Sequence, residues 1–408
     1  MSAVIRSACR AVILLLLLPL TSPLFGQDFF QVRDRILMDH WKRLGPIYLT
    51  PRLLIRNLGY SDNIYQYGQF TEGDWTLDLG LQLQGDLLVG RRLILSYQVM
   101  PEYHLFARNS ELSNWTVAQS LGLHSYLGPF NIRVNAVANQ SWGAPNPEYG
   151  LSIRYKTSGG DAQISLGNPN YFSLLFNAGQ TDNEFEDLRY LGEYDLSRFN
   201  YRLRSAGLGL GFRIFTRTQL QVRYQRQWLG YKVLAELDAD LDQLGMTLIL
   251  PELSSLRGTL TAGMQRYTPR NGRYNRLETP YGSGSIIFQP GRRWRLLLGY
   301  QVRTQDSFNQ VDLLFVQNSW NLGYDLYLTR RWRIGYRFND NNLQYRLRSA
   351  VETIQRREHY QMHGAQLAFR IFEKTAIGLT WSRIHTVETS SPWPRNNAFI
   401  GGYLETDF

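Results

Sequence analysis

The sequence predicts a transmembrane antiparallel up-and-down β-barrel of about 18 strands, with 16 as the alternative count, preceded by a short N-terminal helix. Three observations carry that expectation. Apolar and polar residues alternate along most of the chain, and the links between alternating segments are short and long in turn. No apolar run after residue 26 reaches the roughly 20 residues of a membrane-spanning helix. Aromatic residues at 13% with a mean hydropathy of −0.32 fit a wall that is apolar only at every second position.

The alternation is plainest in "DWTLDLGLQLQGDL" from Asp74. Trp75, Leu77, Leu79, Leu81 and Leu83 share one side of an extended strand, while Thr76, Asp78, Gly80, Gln82 and Gln84 share the other. "QLQVRYQRQW" from Gln219 repeats the pattern, with Leu220, Val222, Tyr224 and Trp228 opposite Gln219, Gln221, Arg223, Gln225 and Gln227. A soluble sandwich also alternates, so repetition along the chain carries the distinction. The segments fall at 47–60, 74–87, 92–106, 114–127, 130–142, 148–157, 162–180, 200–215, 218–231, 241–250, 255–267, 279–289, 293–303, 311–327, 331–339, 359–372, 375–385 and 397–408.

Short links such as "VGRR" at 89–92, "GP" at 128–129, "SGG" at 158–160, "PGRR" at 290–293 and "EK" at 373–374 fall on one rim. Longer stretches, including 181–198, 268–279 and 339–358, fall on the other. That asymmetry marks an outer-membrane barrel, with tight turns in the periplasm and long loops outside the cell. The recurrent Arg pairs sit at the tight turns, where Gly or Pro supplies the reversal and Arg stands in water at the edge of the apolar band.

At the N-terminus, Arg6 and Arg10 precede the apolar run "AVILLLLLPL" and then "TSPLFG", which reads as a signal peptide over 1–26. Its removal leaves 408 − 26 = 382 residues and lowers the net charge from +10 to +8. The only cysteine, Cys9, leaves with it, so no disulfide framework holds the mature chain. Residues 27–46 form the next unit, in which Phe29, Val32, Ile36, His40 and Leu44 make a helical stripe able to plug the lumen or to lie in the periplasm. The barrel itself takes 47–408.

The chain ends "GGYLETDF", with Phe408 in phase with Ile400, Gly402 and Leu404. A terminal strand closing on Phe resembles the signal read by the barrel-insertion machinery, although Thr406 stands where a large apolar residue is usual. Together, "GYSDNIY", "VGRRLIL", "LTRRWRIGYRF" and the Phe-terminated last strand resemble the β-barrel porin family that includes outer-membrane proteins of exopolysaccharide loci. The resemblance implies a Gram-negative outer-membrane location and a part in polysaccharide export; it carries over no site residue.

Strand parity places Arg133, Arg154, Lys156, Arg213, Arg223, Arg257, Arg295, Arg303, Arg333, Arg337 and Arg370 in the lumen, against the fewer acids Asp78, Asp86, Glu102, Asp325, Glu405 and Asp407. A basic pore in a low-dielectric wall concentrates anions, which points to a porin-like channel for anionic solutes or exopolysaccharide. Trp75, Trp115, Trp228, Trp294 and Trp332 face outward as membrane-interface aromatics, beside outer-membrane lipids and lipopolysaccharide. Arg226, between Tyr224 and Trp228, is placed to meet lipid phosphates.

The alternative is a closed or plugged barrel acting as an anchor or receptor. Enzyme activity is not expected: Ser120 and His124 share a face, but four residues of strand separate them by about 13 Å. No cofactor, metal or nucleic-acid partner is expected either. "DADLD" at 238–242 opens like a calcium loop, yet Gln243 and Ile249 replace the required Gly and Glu, and it reads as a solvated acidic loop.

Overall fold

A strand with one apolar side can rest in a bilayer only if its backbone N–H and C=O groups are all paired, and a sheet achieves this by closing on itself. The computed structural model describes residues 27–39, 42–64, 72–143, 153–168, 171–186, 196–215, 218–250, 255–271, 276–307, 312–347, 356–389 and 396–407. Its order is helix α1 (Gln27–Asp39), then β1 (Lys42–Leu44), β2 (Ile47–Ser61), β3 (Asp74–Val89), β4 (Leu93–Phe106), β5 (Asn114–Leu127) and β6 (Phe130–Gly143). β7 (Ile153–Asn168), β8 (Phe172–Phe185), β9 (Tyr201–Arg213), β10 (Gln219–Tyr231), β11 (Ala239–Ile249), β12 (Leu256–Pro269) and β13 (Leu277–Phe288) follow. The chain ends in β14 (Trp294–Asp306), β15 (Asp312–Tyr327), β16 (Trp332–Leu347), β17 (Arg357–Phe372), β18 (Thr375–Thr389) and β19 (Asn396–Asp407).

Each strand from β2 onward pairs antiparallel with its sequence neighbours, and β19 pairs with β2, so 18 strands close into a barrel. The short β1 folds back onto the start of β2 through Gly45, whose φ of +63° is open to glycine without steric cost. Gly90 and Gly128 take the same left-handed conformation at two of the tight turns, which explains the glycine before the first Arg pair.

At the seam, one extra residue in β2 shifts its register against both neighbours: Leu58 to Ile55 spans only Gly402 to Leu404 of β19, and Arg56 to Gly59 spans only Asp78 to Thr76 of β3. Asn57 lies in this bulge with φ of 51°, a conformation Asn tolerates better than most residues. It is held there from both ends: its side-chain amide donates to Asp78, and its carbonyl accepts from Thr76 Oγ1 at 2.9 Å.

Three segment boundaries differ from the sequence reading. Residues 158–160, read as a turn, lie inside β7, and the reversal comes after Asn168. Gly159 is required there by close backbone approach, since a Cβ would strike the Gln180 carbonyl and Thr181. β16 continues to Leu347 through what reads as loop, so Tyr345, Arg346 and Leu347 are strand residues. The helix stops at Asp39, and Leu44 belongs to β1, half exposed, rather than to a helical stripe. Residues 1–26, His40 and Phe408 lie outside the described residues.

The seam supplies a test. A Cβ at Gly59 would overlap the Ile400 carbonyl and the Gly401 Cα across the closing ladder. Gly59→Val should destabilise the barrel by about 1–3 kcal/mol, seen as a lower urea midpoint and loss of the compact, heat-modifiable band in gel electrophoresis, whereas Gly90→Asn should be close to neutral.

Candidate functional site: the barrel lumen

Residues directly opposite in an antiparallel ladder share a face, so the pairings sort every side chain into outer wall or lumen. Leu244, Met264, Leu379 and Ile400 are more than half exposed on the outer wall, with Leu79, Leu81 and Leu83 among their less exposed companions. Trp75, Trp115, Trp228, Trp294 and Trp332 all fall on this wall by register.

On the other face the pairings put Arg133, Arg213, Arg223, Arg257, Arg295, Arg333 and Arg337, with Arg303 and Arg370. Arg154 and Lys156 do not join them. The β7 ladder is continuous, and Arg154 pairs with the outward Trp142 while Lys156 pairs with Gln140. Placing a turn at 158–160 broke the strand and lost the parity that links these two residues to Ile164, which lies on the outer wall.

The lumenal arginines are concentrated at one end. Arg213 is the last residue of β9, and Arg257, Arg295 and Arg333 are each the second residue of their strands. Arg370, Arg133, Arg223, Arg52 and Arg337 lie within five residues of the same rim. Among the described residues nine arginines thus ring the mouth on the short-turn side, against Asp86, Asp325, Glu405 and, opposite Arg52 in the closing ladder, Asp407. Asp325 has a side chain with no exposed area and accepts from Arg295 at 2.6 Å and from Arg337 at 2.8 Å. One buried carboxylate therefore fixes two guanidinium groups in place while neutralising only one of them.

Farther up the wall, β2 to β5 form a polar chain. Arg56 grips Glu102 through Nε and Nη2, which donate to the carboxylate within 3.2 Å. His104 Nδ1 lies 2.7 Å from Asp78, and its Nε2 lies 3.1 Å from Thr116 Oγ1. Asp78, Glu102 and His104 bring three potential metal ligands within 4.8 Å, but each is already engaged by these partners. Ser120 and His124, paired in the sequence reading, are not joined; His124 Nε2 instead meets Asn131 Oδ1 at 2.7 Å. Arg303, Gln317, Ser319 and Asn341 make a second cross-strand network on β14 to β16.

The long-loop end is apolar instead. Ile153, Phe185, Leu229, Tyr231, Leu241 and Tyr267 point inward and pack on Leu196, Phe199, Leu234 and Leu237 from two connections that fold over the mouth. Phe315, Leu343, Tyr345 and Tyr360 form a second cluster nearby. The sequence signal for this vestibule was the apolar residue at the inward position near the end of strand after strand, which reads locally as a lapse in alternation. At the opposite mouth, α1 enters the lumen. Phe29 is 1% exposed and packs edge-on to His124 at 5.0 Å, while Phe30 meets Tyr126.

On the outer wall above the apolar band, a belt of ion pairs runs across β8 to β13. Arg202 meets Asp182 at 2.7 Å, Arg226 and Arg270 both meet Asp240 at 2.8 Å, and Arg266 meets Glu278 at 3.1 Å. Asp240 and Asp242 are strand residues, so "DADLD" is not a free loop, and Arg226 is committed to protein carboxylates rather than left for lipid phosphate.

No protein-family model matches the chain, and no curated protein matches it by sequence. Among solved structures it is similar to Pseudomonas aeruginosa OccK2 (OpdF) in complex with glucuronate, at 14% identity and a TM-score of 0.49, over 88% of this chain and 98% of that one. Acinetobacter baumannii OccAB3 aligns at 11% identity and 0.47, over 88% and 99%. The FrpB iron transporter from Neisseria meningitidis aligns at 10% and 0.45, over 86% and 63%. At these identities and scores no residue role transfers.

The buried carboxylate gives the site its test. Asp325→Ala should lower stability by about 3 kcal/mol, since it leaves two arginines without their shared acceptor, and denaturant unfolding of the refolded barrel would measure it.

Proposed function

We propose that the protein is a porin-like channel of a Gram-negative outer membrane, with its long-loop rim outside the cell and its short-turn rim in the periplasm, preferring anionic solutes. The single observation carrying this is the collar of nine lumenal arginines at the short-turn mouth, opposed there by four acids among the described residues. In a low-dielectric wall such a collar raises the local concentration of anions and excludes small cations. Acidic polysaccharide belongs to this substrate class, because repeated carboxylates can pass from one guanidinium to the next. Outer-membrane lipids, including lipopolysaccharide, are its surroundings.

A second reading is favoured by specific features. The apolar vestibule and the docked Phe29 narrow the two mouths, as a plugged barrel acting as anchor or receptor would require.

Planar-bilayer recording separates the two. The channel reading expects stable conductance with an anion-selective reversal potential, and Arg223→Glu combined with Arg257→Glu should move that potential toward cation preference. Cation selectivity in the unaltered protein overturns the anion assignment. Under the plugged reading, the intact protein is silent and removal of residues 28–39 raises conductance severalfold.

A further inference from the structure

The outer wall of β16, β17 and β18 can be read as horizontal rows, because paired residues stand side by side. Tyr336, Ala365 and Trp381 form one row, and below it lie Ile334, Leu367 and Leu379. The next row up is Phe338, His363 and Arg383, and above that come Asp340, Gln361 and His385. The wall therefore changes from apolar to polar at the same step on β17 and β18, and one row higher on β16.

Height follows from the same register. His363 stands nine residues above the end of β17, and Arg383 and His385 stand eight and ten above the start of β18. At about 2.5 Å of height per residue for a strand tilted ~40°, the group sits about 20–25 Å above the short-turn ends, the upper edge of an apolar band ~25 Å tall.

Arg383 and Asp340 of this patch are not paired with each other. Asp340 is satisfied by His359 Nε2 at 2.7 Å and by Gln361 at 2.9 Å. His363 Nδ1 is bonded to the Tyr336 hydroxyl at 2.8 Å and its ring stacks on His385, with centroids 5.6 Å apart. Arg383 is exposed, and among the described residues no carboxylate lies within 4.0 Å of it. In the belt on β8 to β13, by contrast, Arg202, Arg226, Arg266 and Arg270 are each tied to Asp or Glu. A guanidinium at the top of an apolar wall, flanked by two imidazoles and without an ion pair among the described residues, presents the donors that the anionic headgroup of a lipid accepts.

We infer that Arg383, His363 and His385 bind a phosphate group of a phosphorylated glycolipid in the outer leaflet, whose acyl chains lie on Trp381, Leu379 and Leu367 below. The inference rests on the outer-membrane orientation proposed above. The planar guanidinium takes two phosphate oxygens, the imidazoles supply further N–H donors, and Trp381 packs against the sugar or the first methylenes.

The test uses the full mature protein in detergent, titrated with bisphosphorylated lipid A and with the same lipid dephosphorylated, followed by native mass spectrometry. Wild-type protein should bind the phosphorylated lipid at least tenfold more tightly. Arg383→Gln, and His363→Gln with His385→Gln, should abolish that preference, while Arg226→Gln should keep it. Heat-modifiable gel mobility confirms that each variant is folded. Retention of the preference by folded Arg383→Gln overturns the site, as does absence of a preference in the wild type. A barrel that shows the preference but conducts no ions counts against the channel alone. Loss of the preference with unchanged conductance isolates the lipid site.

Discussion

The ladder between β19 and β2 is the contact on which the rest of the molecule depends. Without it the sheet has two open edges, and each unpaired backbone group exposed to hydrocarbon costs several kcal/mol. With it, every strand gains a neighbour on both sides, and one wall can be apolar throughout without a conventional core. The β2 bulge at Asn57 lies on this seam, where the first and last barrel strands must meet in register. The Asn57–Asp78 and Thr76–Asn57 hydrogen bonds hold the bulged strand in that register.

Closure also divides the side chains into two populations governed by different energetics. On the outer wall charge is tolerated only where the apolar band ends, and there it is mostly matched, as in Asp240 shared by Arg226 and Arg270. In the lumen, water screens the arginines, so they need not be matched one for one. Asp325 shows the difference: a fully buried acid positions two guanidinium groups and leaves net positive charge in the pore.

The lumen is polarised along its axis. Cationic groups crowd the mouth with tight turns, polar networks occupy the middle, and apolar side chains gather beneath the long loops. A solute entering from the loop side meets apolar and aromatic surface before it meets charge.

Strand number, the alternation of short and long links and the outward placement of the tryptophans were legible in the sequence, because a period of two is a local property that each strand writes in its own residues. Parity is local as well, but it survives only as far as a strand is unbroken. The pattern places Arg154 and Lys156 in the lumen because "SGG" reads as a turn, whereas Gly159 makes room for the backbone of β8 and Gly160 for that of β6. Which residues of different strands stand in one row was not legible at all. The Asp325 tether, the vestibule from β7 to β13, the docking of Phe29 on β5 and the row of His363 and Arg383 each join residues from separate strands or elements. Sequence fixes the face on which each side chain lies through the pleat; only the register of the closed sheet decides which side chains meet, because relative strand position is set by pairing across the whole barrel.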